Sequence, residues 1–439
     1  MQDSWDSVQA GFRGDFNWGT DYNLMITGDI YQQSDDAFSP LTLSSVEEDV
    51  DTSNLNVRWE VKTDSGSSIT LHSFVESSQR KSSLADISVD TFDIDFQHRF
   101  DWGSNNEFSW GLGYRHISDD IKDQVSVKFI PAKDDFNLNT AFVQNESRFL
   151  NDRLHLVIGS KFEHNDFTGS EIQPSIRGTW HTSDNFHLWA AASKAVHTPS
   201  RAFTSVSSIF VNTPFLSVTA QGNPNSDAEE AEVLELGIRG NIGKDFTWDA
   251  TLFHAKYDDL VDSTTTITPT PIVFFPIQTV IAGSNNAEAT TNGLELSGIW
   301  QVNEDIRLNA TYSYLDIDAE SQTDANYVIN TEERSPRHQW SLRPSLDLSE
   351  DIKLDFWLKY VDDTEYTDSS SGTTVIRDID DYYVLDARLA WQLGRNTELS
   401  LVGQDLLDSE HSEFGPEGSN THATSVERNF YLQLRWQLH

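Results

Sequence analysis

The sequence contains no cysteine, which excludes disulfide staples and thiolate metal sites and leaves the redox compartment open. Basic residues are scarce: 30 Lys and Arg stand against 70 Asp and Glu, a formal net charge of −40. Such a field repels polyanions, so no nucleic-acid partner is predicted. No long apolar run of about 18 residues occurs, so no transmembrane helix is encoded. A barrel that crosses a membrane with strands would show no such run either. The motifs GxxxxGK[ST], HExxH and GxSxG are missing, as is any EF-hand loop with its glycine and terminal glutamate. The chain is therefore read as no enzyme, with no catalytic group, no metal site and no cofactor. Ahead of the first periodic segment there is no basic n-region, apolar h-region or small-residue cleavage site.

What is present is alternation. In the opening stretch Val8, Ala10, Phe12, Gly14, Phe16 and Trp18 fall on one side, with Gln9, Arg13, Asp15 and Asn17 on the other. That is period two, a strand with one apolar and one polar face. The final stretch sets Phe430, Leu432, Leu434, Trp436 and Leu438 against Tyr431, Gln433, Arg435 and Gln437. A third sets Ile352, Leu354, Phe356 and Leu358 against Lys353, Asp355 and Lys359, with Trp357 as the exception. About nineteen such segments of roughly 10–15 residues follow one another.

Their connections alternate in length. Short turns at 18–22, 63–68, 102–107, 150–152, 182–185, 243–245, 303–305, 349–351 and 394–396 are rich in Gly, Asn, Asp and Ser. Between them come connections at 34–50, 116–135, 198–230, 260–285, 318–333, 364–380 and 409–424, with brief ones at 81–85 and 165–169. Short turns at one end and long loops at the other predict an all-β fold, a transmembrane up-and-down antiparallel barrel. A sandwich or propeller gives loop length no reason to follow strand parity, and no repeat of 40–50 residues appears. The apolar faces then point to lipid and the polar faces line the lumen. Every backbone group must pair between strands, because hydrocarbon offers no partner.

The residues also resemble a known family, the C-terminal barrel of TonB-dependent outer-membrane receptors, over essentially the whole chain. The most distinctive stretches are "GSKFEHNDFTGSEIQPSIRGTW" (159–180) and "WAAASKAVHTPSR" (189–201). "GNPNSDAEEAEVLELGIRG" (222–240), "TNGLELSGIW" (291–300), "SPRHQWSLRPSLDL" (335–348) and "SLVGQDLLDSEHSEFGP" (400–416) follow in the family's order. Lys194, His197 and Asp405 depart from the residues common there, and the chain ends on His439 rather than an aromatic residue. The resemblance implies a 22-stranded barrel around a plug domain. With about nineteen strands, residues 1–439 read as one barrel domain that lacks the plug, the energy-coupling box and three strands. A barrel of nineteen strands that closes on itself is the alternative.

Resemblance further implies a bacterial outer-membrane transporter for energised uptake of a scarce nutrient, a ferric siderophore being the expected cargo. Its implied partners are outer-membrane lipid and lipopolysaccharide, the barrel-assembly machinery, a small-molecule ligand, and the plug with TonB–ExbB–ExbD behind it. Without a plug the barrel should not run that cycle alone. A passive porin-like channel and a soluble all-β carbohydrate-binding protein are the competing readings.

Two sets of candidate residues emerge. Arg115, Lys161, Glu163, Arg177, Glu235, Arg239, Glu295 and Arg343 fall on polar faces and hence in the lumen. The resemblance implies that they clasp a plug; the alternative is that they pair with lumenal neighbours across strands. Lys194 resists placement, since Trp189 of its strand falls with the polar set and Lys194 with the apolar one. In the two most apolar long loops, Phe203, Phe210, Phe215, Phe274 and Phe275 form a candidate ligand platform. The bland alternative is that these loops pack on one another.

Overall fold

The computed structural model describes residues 5–39, 44–63, 65–82, 85–122, 127–213, 215–268, 277–324, 326–368, 375–415 and 425–437. The main sheet holds 22 strands, of which three short ones (Val127–Phe129, Val206–Asn212 and Leu216–Gln221) lie within long connections. The other nineteen pair antiparallel in chain order, from Trp5–Trp18 at one edge to Asn429–Trp436 at the other. This is the up-and-down order that alternating turns and loops predict. Among the described residues, Trp5–Trp18 pairs only with Tyr22–Ser39, and Asn429–Trp436 only with Thr397–Gln404. Among the described residues the two outer edges therefore carry backbone groups without a strand partner.

Register carries the apolar set of each strand onto the same face of the next. One row runs Leu236, Leu252, Leu294, Tyr314, and its neighbour runs Ala250, Leu296, Tyr312, Trp340, Tyr360, Tyr383. These outward side chains are exposed: Phe12, Ile30, Leu55, Leu112, Ile158, Leu236, Leu252, Leu401 and Leu432 are between 41% and 71% exposed. A face of this size in water would be a severe aggregation liability, whereas lipid satisfies it. From Val8 to Trp18 the apolar set spans roughly 33 Å of strand, and a tilt of about 45° makes that a belt about 23 Å tall, the height of an outer-membrane hydrocarbon band.

The short-turn end is ringed by Trp18, Trp59, Trp102, Trp110, Trp180, Trp248, Trp300, Trp391 and Trp436. Towards the long-loop end Tyr312, Trp340, Tyr360 and Tyr383 sit side by side, with ring centroids 6.0 Å apart for Trp340–Tyr360 and 4.9 Å for Tyr360–Tyr383. Amphipathic rings at both limits of an apolar band mark its two interfaces.

Strand lengths depart from the sequence reading. The nineteen strands of the wall run from 8 residues (Thr397–Gln404) to 25 (Ile277–Gln301). Much of what reads as loop at 34–50 and 260–285 is strand: Tyr22–Ser39 with Ser44–Lys62, and Phe246–Thr268 with Ile277–Gln301, continue past the lipid band. Water lies on both faces there, so nothing enforces an apolar alternation. Two hairpins, Thr364–Asp368 with Val375–Ile379 and Glu410–Ser412 with Ser425–Glu427, also lie in connections read as loops.

Candidate functional site

The long-loop end is built as a ladder rather than as separate loops. Val127–Phe129 pairs with Val206–Asn212, which pairs with Leu216–Gln221. Leu216–Gln221 then runs parallel to the start of Ile277–Gln301, Leu216 opposite Ile277, and that segment pairs with the end of Phe246–Thr268. Three connections thus share one set of backbone hydrogen bonds above the barrel.

Side chains lock the ladder at three points. Arg201, on the short helix Arg201–Ser205, makes ion pairs with Asp119 at 3.2 Å and Asp134 at 2.6 Å, and it donates to the Pro131 carbonyl at 2.5 Å. Its guanidinium lies 5.9 Å from the centre of the Phe129 ring. Ser226 donates to Asn285 at 2.5 Å, and the Asn285 amide donates to the Asp259 carbonyl at 2.7 Å. Asp262 is 6% exposed and collects hydrogen bonds from Ser284 (2.6 Å), Ser321 (2.6 Å), Thr323 (2.7 Å) and the Asn286 amide (3.1 Å). Burial alone would raise the pKa of Asp262, but these donors outweigh it and hold the carboxyl below its ordinary value.

The predicted phenylalanines divide. Phe203 packs its ring over Gly283, where a Cβ would come within 2.8 Å of it, so it serves loop packing. Phe215 is 72% exposed, and its carbonyl accepts the Ile277 amide at 2.8 Å. Phe210 lies in the strand Val206–Asn212, with its side chain outside the described residues, as are Phe274 and Phe275 altogether. Beside Phe215 the structure adds Leu216, Ile267 and Ile277, exposed on one face of the ladder by their register, with Ile209 exposed nearby. Period-two counting could not find these four, because their facing depends on pairings within and between the long connections, one of them parallel.

Below the ladder the lumen is polar and charged. Three of the predicted cations meet acids across strands: Arg115 with Asp93 at 2.7 Å, Arg177 with Glu235 at 3.5 Å, and Arg239 with Asp249 at 2.9 Å. Lys161 pairs two residues along its own strand with Glu163 at 2.9 Å. Glu295 is exposed and has no ion pair among the described residues. Arg343 stacks on Trp357, 4.0 Å from the ring centre, and Lys359 approaches the same ring at 4.3 Å. Trp357, the exception in its strand, is thus a lumenal cation platform.

Trp189 proves to be lumenal too. Arg177 sits 5.0 Å from its ring centre, and the indole lies over Gly237, where any Cβ would come within 2.2 Å. Lys194 keeps the opposite parity and faces outward, bonded to Glu230 at 2.6 Å, with Glu232 and Lys256 beside it in register. It stands at the upper end of the outward face, where Glu230, Glu232 and Lys256 take the place of the apolar set.

Comparison with known proteins follows the same lines. Residues 2–406 match the family model "TonB dependent receptor-like, beta-barrel". Comparison with curated proteins finds no match. Among solved structures, an enterobactin-bound mutant of the ferric enterobactin receptor of Pseudomonas aeruginosa superposes with a TM-score of 0.80 at 12% identity, covering 99% of this chain and 71% of that one. The siderophore receptor PirA of Acinetobacter baumannii gives 0.77 at 14% identity, with 99% and 71% covered. The FrpB iron transporter of Neisseria meningitidis gives 0.75 at 13% identity, with 98% and 71% covered. At such identities the likeness shows the fold, and the family rests on the sequence model. An inside-out antiparallel wall, a charged lumen and a family match over nearly the whole chain agree: the chain belongs to the TonB-dependent receptor β-barrel family.

Proposed function

We propose that this chain is the wall of an outer-membrane uptake receptor whose ligand, a ferric siderophore, docks on the long-loop ladder at the cell surface. The observation that carries the reading is the exposed apolar face of Leu216, Ile267 and Ile277, with the exposed Phe215 next to Leu216 in the chain, held on a locked ladder above a polar lumen. A rigid apolar surface beside charged groups suits a bulky, partly aromatic chelate, and preorganised loops lower the ordering cost of binding it. The siderophore and iron receptors named above share the fold, which supports this cargo class.

Within the lumen, Glu295 and the Arg343–Trp357 platform face a plug domain, through which TonB–ExbB–ExbD supplies energy. The paired residues Arg115, Lys161, Glu163, Arg177, Glu235 and Arg239 hold the wall and present their free hydrogen-bonding capacity to the same plug. The unpaired edges at Trp5–Trp18 and Asn429–Trp436 accept further strands, since a bare edge in lipid leaves its amides unsatisfied. Without a plug the wall does not run the transport cycle. The barrel-assembly machinery inserts it, and outward acids above the belt, such as Asp51, Asp90 and Asp120, contact lipopolysaccharide through bridging cations.

The test is binding of iron-labelled catecholate, hydroxamate and carboxylate siderophores to outer membranes that carry the chain. Two apolar side chains half buried by the chelate contribute about 2–3 kcal/mol together, half of the roughly 3–6 kcal/mol of full burial. The double variant Phe215→Ala, Ile277→Ala should then weaken binding of the preferred chelate at least tenfold. Unchanged binding would refute the platform. A steady large conductance in planar bilayers, with no chelate bound, would favour a passive pore instead.

A further inference from the structure

On the lumen wall, His72, Asp93 and Asp95 bring an imidazole nitrogen and two carboxylate oxygens within 4.8 Å of one another. Strand register explains the meeting. His72 stands directly opposite Asp95, and Asp93 lies two residues along the same strand, on the same face, opposite Arg115 on its other side. Sequence gives no hint of it: HSF (72–74) and DID (93–95) fit no ligand spacing, and only pairing of the two strands joins them.

Asp93 is the telling member. It is 3% exposed, its Oδ2 accepts from Arg115 Nε at 2.7 Å, and its Oδ1 is buried with no hydrogen-bond partner. A buried carboxylate oxygen left without a donor is costly, and the deficit is what a bound cation repairs. Space exists beside it. A cavity of about 210 Å³ opens on the Arg115 side of the two carboxylates, lined by Asp93, Asp95, Gly113, Arg115, Thr140 and Lys161 but not by His72, which meets Asp95 from the opposite strand. Gly113 keeps it open, since a Cβ there would fall 2.3 Å from Asp95 Oδ1. Asp95 is itself exposed to the lumen, which gives an ion a way in.

We infer that His72, Asp93 and Asp95 form a binding site for one divalent transition-metal ion, with zinc or manganese the fitting class. One imidazole and two carboxylates are the mixed N/O set such ions take, whereas calcium asks for six or more oxygens. Bonds of about 2.0–2.2 Å put neighbouring donors about 3–4 Å apart, so small side-chain rotations close the set on an ion. Arg115 neutralises the outer oxygen of Asp93 and fixes which oxygen faces the metal, the part an outer hydrogen-bond partner plays at metal sites. The ion would tie the strands Ser68–Lys81 and Asp86–Asp101 together from the lumen side.

The probe is zinc chloride, with cobalt as a spectroscopic substitute, titrated into the full chain extracted in detergent and metal-stripped. Many surface acids will take zinc weakly, so the variants decide. One tight equivalent is expected, with a cobalt spectrum that shows a nitrogen ligand. Asp95→Asn and His72→Gln, both short of the buried Asp93, should each weaken that equivalent at least tenfold, while Asp15→Asn leaves it intact. Asp93→Asn disturbs the Arg115 pair and is read only where heat-modifiable gel mobility stays normal. Absence of a tight equivalent in the parent chain, or its survival in both Asp95→Asn and His72→Gln, would overturn the site.

Discussion

Replacing Asp262 should loosen the extracellular ladder without unfolding the barrel. Its Oδ1 accepts from Ser284 and the Asn286 amide, and its Oδ2 from Ser321 and Thr323. Hydrogen bonds to a charged acceptor contribute about 1.5–3 kcal/mol each, though not additively, because the released hydroxyls recover some partners. For Asp262→Ala a local loss of about 3 kcal/mol follows, which is roughly a 150-fold rise in the open population of the ladder. Asp262→Asn should do far less. Its oxygen still serves Ser284 and the Asn286 amide, and the two hydroxyls can turn to accept from its amide, so about 1 kcal/mol is expected. The assay is proteinase K cleavage between residues 258 and 288 on whole cells, under conditions where opening is fast and the rate follows the open fraction. Ala cleaved about a hundredfold faster and Asn within tenfold of the parent is the predicted order. Equal rates for all three chains, or Asn as damaged as Ala, would refute the reasoning. The same carboxyl sets a pH dependence. Its folded pKa lies below the ordinary value, so its contribution is complete above about pH 4–5. It is lost as pH falls through the folded pKa, where the unfolded chain already holds the proton. Protection of the loop in the parent should fade only below about pH 4, and in Asp262→Asn that step should be missing.

Other outcomes follow from the same packing. Arg201→Ala removes a largely buried guanidinium from Asp119, Asp134 and the Pro131 carbonyl. About 2–3 kcal/mol of local stability should be lost, read as faster proteolysis between 198 and 228, with Arg201→Lys recovering part because it keeps charge but not the fork. His411 lies between Asp405 (Nδ1 to Oδ2, 3.0 Å) and Glu413 (Nε2 to Oε1, 3.2 Å), and Asp405 is 2% exposed. His411→Ala should leave Asp405 buried without its partner, at about 2–4 kcal/mol, and expose the chain to trypsin after Arg428, whose side chain reaches the Asp405 carbonyl at 3.4 Å.

Much of the wall is legible in the sequence because lipid imposes a strict rule. Within the belt every second residue meets hydrocarbon, so Val8 to Trp18 and Phe430 to Trp436 announce their facing, and nineteen through-going strands emerge on both readings. The exceptions are instructive. Trp357 and Trp189 break the polar face because a cation and an indole can satisfy each other in water. Above the belt the rule lapses: "DSTTTIT" (262–268) is strand, yet reads as loop, since no lipid sorts its side chains. The ladder of Val206–Asn212, Leu216–Gln221 and Ile277–Gln301 rests on pairing between distant connections, which a local pattern cannot carry. Parity puts the candidate residues on the polar face but says nothing of their partners. Arg115 finds Asp93 and Arg177 finds Glu235 only through register, whereas Lys161 and Glu163 are already two apart on one face.

The orientation of the wall is the central claim, and a chain without cysteine makes it directly measurable. Single cysteines at Phe215 on the ladder and at Ser104 in a short turn would be exposed in living cells to a bulky, membrane-impermeant maleimide. The account predicts rapid labelling of Phe215→Cys on intact cells, and labelling of Ser104→Cys only after the outer membrane is breached. Labelling of both on intact cells, or of Ser104→Cys alone, would contradict it.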